Sequence, residues 1–397
     1  MPPSGSRSGP PRTEPDPAST GRPAVQRHDG RRPPTFGIEE EFLLLDPETC
    51  APADRAVEVL AGAGRGRGTL TQECTRFQVE AATPVCRGAE DAGAEIASAR
   101  RALGGSAERH GLRLAATGFA PLGVPAPVPV STKPRYQAIA TRFGRLLHAH
   151  TAAGCHVHVG MPDLATAVAV SDQLRPHLPA LLALTANSPF CRGRDTGHAS
   201  WRHVVWSRLP SAGPPPRHGS VRSYERAVQV LLNSGAALDT GMVYWCARPS
   251  HRLSTLEVRV ADTAGTPQEA LLTALLVRGL ADGALGRVAT GQPAPELPDQ
   301  VLRAALWRAA RDGLRGSGLH PATGELVPAR RLLDETVAAA LPALEHSGDA
   351  STALALLEAV LRRGTGADRQ RAMFARRGRM ADVLHLLAEQ TRDGLPS

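Results

Sequence analysis

Four short segments carry polar residues two positions apart with apolar residues between them: Glu39 and Glu41 in FGIEEEFLLLD, Gln78 and Glu80 in FQVEA, His156 and His158 in CHVHV, and Glu257 and Arg259 in TLEVRV. On an extended strand, residues i and i+2 share a face. Each doublet therefore stands on one side of its strand, and Ile38, Phe42, Val79, Val157 and Val258 turn to the other. Carboxylates and imidazoles gathered this way are ligands for a hard or borderline divalent ion, and an arginine beside them suits phosphate or carboxylate. Two carboxylates side by side repel, and burying them unpaired is costly, so a divalent cation is expected between them.

Each doublet alone has a plainer reading: Glu-x-Glu as a solvent-facing strand edge, His-x-His as a satisfied core pair, Glu-x-Arg as a cross-strand ion pair. Four in one chain point to a sheet that lines a cavity in front and packs on helices behind. Strand parity turns Cys155 toward the core, where a thiol is inert. Parity also puts Glu40 on the core side, a position for which the sequence offers no partner.

The elements that must position these residues follow in order. After the strand Thr35–Asp46 comes a small-residue loop, AGAGRGRGTL, and a second strand in TRFQVEAATPV. A helix is expected over GAEDAGAEIASARRALGGSAERHG, a strand over LRLAATGFAP running into a Pro-rich loop that ends near Lys133, and a strand over GCHVHVGM. Beyond these lie a helix from about Asp163 to Ala186, a long loop from Asn187 to Gly219, a helix over VRSYERAVQVLLNSG and the strand STLEVRVAD. From Pro267 onward Leu and Ala recur at helical spacing almost to the end. Strands first and helices last make this an α+β chain with an antiparallel sheet and a helical C-terminal part.

At 397 residues and 42% hydrophobic, the chain can bury a large core. Residues 1–34, rich in Pro, Ser, Gly and Arg, read as a disordered tail without the apolar segment of a signal peptide, and the remainder could form one large domain or two smaller ones. The net charge of +8 comes almost wholly from arginine, interspersed with acids, and aromatics are only 4%. No basic run alternates with stacking residues, so nucleic-acid binding is not expected, and neither is a membrane span. Small anionic substrates account for the charge equally well. The six cysteines form no CxxC pair and no disulfide framework, which fits a reducing, cytoplasmic setting.

At these residues the chain resembles a known family. FGIEEEFLLLDPET, QVEAATPVC, GCHVHVG, NSPFCRGRDTGHASWRHVVWSRLPSAGPP, RPSHRLSTLEVRVADT and the late RGTGADRQR, in that order, look like the carboxylate-amine ligases of the glutamate-cysteine ligase type 2 group. The resemblance spans about Phe36 to Thr391. It implies that 35–392 form a single glutamine synthetase-like catalytic domain, with an antiparallel sheet forming a funnel for ATP and divalent ions. Two departures stand in the long loop: Cys191, where the family usually has an aromatic, and His198, where it commonly has Tyr.

The activity implied is ATP-dependent joining of a carboxylate to an amine, with glutamate and cysteine as the leading substrate pair and another amino acid and amine as the alternative. A metal-dependent phosphohydrolase could use the same acids and histidines. The resemblance makes Glu39, Glu41, Glu80, His156 and Glu257 expected ligands of Mg²⁺ or Mn²⁺, with Glu73 as a further acid whose direction parity leaves open. Glu257 and Arg259 are the expected catalytic residues, Arg259 stabilising the transferred phosphoryl group. Arg192, Arg194, Arg202 and Arg248 are expected to grip substrate carboxylates or ATP. Small molecules are the expected partners, and a homo-oligomer is compatible with the sequence.

Overall fold

Phe36, Ile38 and Phe42 alternate with Gly37, Glu39 and Glu41, and this alternation makes the first strand the centre of the molecule. The computed structural model describes residues 32–64 and 66–393, so nearly all of the expected tail lies outside the described residues. The strands are β1 (Phe36–Leu45), β2 (Thr69–Gln72), β3 (Gln78–Ala82), β4 (Arg113–Ala115), β5 (Gly154–Gly160), β6 (Phe190–Cys191), β7 (Arg194–Asp195), β8 (Ala247–Pro249) and β9 (Thr255–Asp262), with a separate pair β10 (Ser317–Leu319) and β11 (Leu326–Pro328). The helices include α1 (Ala56–Gly62), α2 (Ala89–Arg109), α3 (Pro134–Phe143), α4 (Leu164–Leu174), α5 (Leu178–Thr185), α6 (Trp201–Trp206), α7 (Val221–Asn233) and α8 (Pro267–Ala289). They continue with α9 (Asp299–Asp312), α10 (Ala329–Ser347), α11 (Ala350–Arg363), α12 (Gly366–Arg377) and α13 (Met380–Asp393).

The main sheet runs β2-β3-β1-β5-β9-β8, with β4 pairing the far end of β1, and every neighbouring pair is antiparallel. Its apolar reverse, including Ile38, Val157, Leu256 and Val258, packs on α4, α5, α8, α9 and α10 in one continuous core. Helix α8 is apolar nearly all round, as a helix enclosed on every side must be. Its start is set by a capping box between Thr266 and Glu269 with Pro267 in the first turn. Arg369 of α12 then clasps the Glu269 carboxylate at 2.6 and 2.9 Å. The α+β architecture with a helix-backed antiparallel sheet is borne out, and no described helix is long and apolar enough to cross a membrane.

The differences from the sequence reading have local causes. The helix expected over 163–186 is broken by a 3₁₀ turn at Arg175–His177, where Pro176 and Pro179 remove two backbone donors. The strand expected over 112–121 stops at Ala115, because Ala116 N–H donates to the Thr391 hydroxyl (2.8 Å) and Gly118 N–H to the Asn187 carbonyl (3.2 Å). The small-residue loop ends in β2, an edge strand. The long loop from Asn187 holds the β6–β7 hairpin and the short helix α6.

Candidate active site

Register sets the site. Glu41 of β1 lies opposite Glu80 of β3, and Glu39 lies opposite His156 of β5. His158 lies opposite Glu257 of β9, which in turn faces Arg248 of β8. The four doublets thus form one row across the front of the sheet. This row lines a cavity of ≈390 Å³, which Glu73, Tyr136, His150, Trp206 and Tyr244 close from the opposite side. A wider cleft of ≈920 Å³ lies on the other side of Ser250–Leu253 and contains no carboxylate cluster, so the chemistry belongs to the smaller cavity.

Two sets of ligand atoms converge there, each with all members within 4.8 Å of one another: Glu41, Glu73 and Glu80, and Glu39, His158 and Glu257. The two sets differ in how the protein balances their charge. Glu257 is buried between Arg248, 2.8 Å from its Oε2, and Arg259, whose Nη1 donates to Oε1. Burial would raise its carboxyl, but these two guanidiniums hold it well below the usual range. Burial would likewise raise Glu39, and hydrogen bonds from His156 and His158 outweigh it. The Glu41, Glu73 and Glu80 set has no such balance. Burial and the charge of Glu73 push Glu41 up to about 8 against the pull of Arg202 and Arg259, and burial with the charges of Glu73, Glu39 and Glu41 drives Glu80 well above its ordinary value. The donors to this set are sparse: Gly154 N–H to Glu41 at 2.6 Å, Cys74 N–H to Glu73 at 3.1 Å, Tyr136 hydroxyl to Glu73 at 3.4 Å and Thr71 hydroxyl to Glu80 at 3.3 Å.

Three carboxylates with so little compensation fit a divalent cation with oxygen ligands. The second set fits as well: Nδ1 of His158 is held by the Thr255 hydroxyl at 2.9 Å, and its buried Nε2 faces the Glu39 carboxylate at 3.2 Å. That arrangement leaves Nε2 as the nitrogen presented to an ion. His156 holds Nδ1 near Glu39 (3.4 Å) and Arg259 (3.5 Å) and likewise has a buried Nε2 without a partner; burial with the Arg259 charge drives it down to about 4. Glu39, Glu41, Glu80 and Glu257, all placed on this face by parity, lie in the two convergent sets; His158 rather than the expected His156 completes one of them, and Glu73, which parity left open, completes the other. Glu73 precedes the turn between β2 and β3, where alternation no longer applies.

The arginines separate into three groups. Arg259 stays in the cavity wall, its guanidinium 5.8 Å above the Tyr244 ring. Arg248 also reaches the cavity but is committed to protein groups, with Nε on Glu257 and Nη1 on the carbonyls of Gly241 (2.9 Å) and Val243 (2.7 Å). Arg202 is buried beneath the row, near the Arg259 carbonyl at 3.4 Å. It fits only because residue 154 is glycine, since a Cβ there would lie 2.2 Å from the guanidinium. Arg192 and Arg194 line a different pocket that shares no residue with the acid cavity.

Asp262, at the end of β9, was not singled out in the sequence. It is fully buried and accepts from Asn187 N–H (2.8 Å), the Ser188 hydroxyl (2.7 Å) and the Ser200 hydroxyl (2.7 Å). Gln370 of α12 donates to the Asn187 side-chain oxygen at 2.8 Å. The motifs around Asn187, Asp262 and Gln370 therefore meet in one network behind the site. Glu40 has a partner too: its carboxylate is clasped by Arg100 of α2 at 3.0 and 2.5 Å, with Arg100 fully buried.

The sequence profile described as glutamate-cysteine ligase family 2 matches residues 35–390. A protein of Saccharopolyspora erythraea, provisionally named glutamate–cysteine ligase 2-1, is 48% identical over 362 residues, 90% of this chain and 95% of its own length. One from Nocardia farcinica with the same provisional name is 46% identical, covering 91% of this chain and 94% of its own. Among solved structures, the glutamate–cysteine ligase of Francisella tularensis in complex with AMP superposes with a TM-score of 0.70 at 12% identity over 91% of this chain and 90% of that one. A bifunctional glutathione synthetase from Pasteurella multocida gives 0.68 at 15% identity over 91% of this chain and 52% of that one. At such identities the structures speak for the fold alone, and the family rests on the profile and the close relatives. An acid-lined antiparallel sheet in this fold, carrying this profile over almost the whole chain, belongs to glutamate-cysteine ligase family 2.

Proposed function

We propose that the protein is an ATP-dependent glutamate–cysteine ligase, forming γ-glutamylcysteine with release of ADP and phosphate. The observation that carries this reading is the cavity floor: two convergent ligand sets, one with its charge uncompensated, beside a fully charged arginine. A carboxylate is a poor acyl donor, so the γ-carboxylate of glutamate first takes the γ-phosphoryl group of ATP, and the amine of cysteine then displaces phosphate from the acyl phosphate. Transfer between two anions demands charge neutralisation and in-line placement above all. Glu41, Glu73 and Glu80, with Glu39, His158 and Glu257, would hold Mg²⁺ or Mn²⁺, which supplies charge neutralisation when bound.

The chain's own residues do the rest. Arg259 is the positive group aimed into the cavity, and Glu257 fixes its direction from one side while the Tyr244 ring supports it from another. Arg248 balances Glu257 from behind, which keeps Glu257 ionised without drawing Arg259 out of the cavity. Relatives that share 46–48% of the sequence and carry the same provisional name support the choice of glutamate and cysteine.

The test is ADP release by the purified protein with ATP, Mg²⁺ and glutamate, with and without cysteine, and mass spectrometry for the dipeptide. Cysteine-stimulated ADP release with γ-glutamylcysteine formed is the expected result. ADP release indifferent to any amine would replace the reading with a phosphohydrolase. Stimulation by another amine would keep the chemistry and change the substrate.

A further inference from the structure

The second pocket, ≈390 Å³ in volume, lies at the β6–β7 hairpin and α6, and it is lined by His148, Cys191, Arg192, Arg194, Trp201 and Arg208, among others. Its size is in the range of small-molecule sites. Its charge is of one sign: Arg192, Arg194 and Arg208 all line it, and none of the three has an ion-pair partner among the described residues. The pocket's own acid, Asp195, does not compensate them, because Arg371 of α12 takes both its oxygens at 2.7 and 2.8 Å. Three guanidiniums are left facing one concavity.

The pocket is also built rather than incidental. Arg192 holds a left-handed backbone, φ 53°, beside Gly193 at φ 73°, at the tip of a two-residue hairpin. Such turns favour Asn-Gly, and a long side chain at the first position is a local cost. The hairpin is pinned by Gly193 N–H donating to the Pro121 carbonyl at 2.9 Å and Thr196 N–H to the Pro189 carbonyl at 2.9 Å. The Arg192 stem lies over Gly123, 3.2 Å from where a Cβ there would stand. The buried indole nitrogen of Trp201 lies in the same wall beside Cys191. His148 is lowered by burial and by the charges of Arg192 and Arg208, so both guanidiniums bear on one point of the wall.

We infer that this pocket binds a small organic or inorganic polyanion, carrying two or more carboxylate or phosphate groups and no ammonium group, at a site separate from the acid cavity. Guanidinium forks take carboxylate and phosphate equally well, which fixes the charge and leaves the acid type to experiment. The ammonium is excluded by the lining, since its one carboxylate is occupied by Arg371. An amino acid zwitterion therefore has half its charge unmatched here. This separates the site from the one proposed for glutamate and cysteine, and it does not depend on that proposal.

The experiment is isothermal titration calorimetry of the full chain at low salt, in buffer freed of metals over chelating resin, with citrate, inorganic pyrophosphate and glutamate as probes. Removing metal keeps cation-bridged binding of the anions at the acid cavity out of the signal. Citrate or pyrophosphate is expected to bind saturably with one site, at least tenfold more tightly than glutamate. Citrate alone would assign a carboxylate ligand and pyrophosphate alone a phosphate. Binding should weaken tenfold or more in Arg192→Gly/Arg208→Ala, in which glycine suits the left-handed position, and should be unchanged in Glu80→Gln. Arg194→Ala, an exposed single change, should weaken it severalfold if the double variant folds poorly. No saturable binding of either polyanion, equal binding by the variants, glutamate binding as tightly, or loss of binding in Glu80→Gln would each overturn the inference.

Discussion

Glu40 and Glu41 are neighbours in sequence and meet opposite environments, and the contrast yields two predictions. Glu40 faces the core, where Arg100 satisfies it with two hydrogen bonds and itself also donates to the Ala264 carbonyl at 2.8 Å. Glu40→Ala leaves a fully buried guanidinium without its anion, and the expected loss is about 3–5 kcal/mol in urea-unfolding free energy. Glu41, Glu73 and Glu80 face the cavity with more negative charge than the protein compensates. Glu80→Gln is therefore expected to raise the thermal midpoint of the metal-free protein and abolish the rise that Mg²⁺ gives the native chain, while lowering turnover by at least about a hundredfold. Scanning calorimetry with and without Mg²⁺, beside an ADP assay, checks both halves. Alternation along single strands was enough to find four of the five acids. It could not pair Glu40 with a helix residue 60 positions away, nor orient Glu73 at a turn, because both depend on where other segments come to lie.

The elements that carry the site are held at their ends. Asp262 closes β9 and accepts three hydrogen bonds from the segment that begins at Asn187, so the strand bearing Glu257 and Arg259 is tied to the start of the β6–β7 region. Asp262→Ala removes one buried acceptor and strands three donors, with an expected cost of about 2–3 kcal/mol read from the urea midpoint. On the other side of the same strand, Gly154 opens β5 directly over the Arg202 guanidinium. Gly154→Ala is expected to cost about 1–3 kcal/mol, the usual cost of overpacking, and to lower kcat because Arg202 lies beneath Glu41 and the Arg259 carbonyl. Long, periodic elements such as β1, α2 and α8 were readable from hydrophobic spacing. The two-residue strands β6 and β7, the three-residue β8 and the break before α5 were not, since so few residues carry no period and proline's effect depends on its neighbours.

For the molecule as a whole, strands early and helices late already pointed to a sheet backed by helices, because consecutive antiparallel strands leave one face to cover and a run of apolar helices must cover something. Acid sensitivity belongs to this scale. Burial drives His177 and His203 down to about 4, with nearby arginines adding to it. Their folded values lie below the ordinary histidine value of 6.5, so the unfolded chain binds protons first as pH falls. Nothing is lost above about pH 6.5; between there and pH 4 each histidine removes up to about 1.4 kcal/mol per pH unit, and below 4 their contribution is flat. Glu41 and Glu80, raised in the folded state, act the other way, so the check is the difference: unfolding free energies at pH 7, 5.5 and 4.5 should fall less, or rise more, in His177→Phe than in the native chain.

The alternation along β1 also bears on how such a chain can change over generations. Its two faces serve two masters, with Arg100 reading one and the cavity reading the other. A substitution alters one face and spares its neighbour, but an inserted or deleted residue exchanges them, sending Glu40 forward and turning the cavity acids onto a buried arginine. The strand can be edited letter by letter and cannot be reframed, so lineages carrying this sheet should vary in the spelling of β1 while keeping its length.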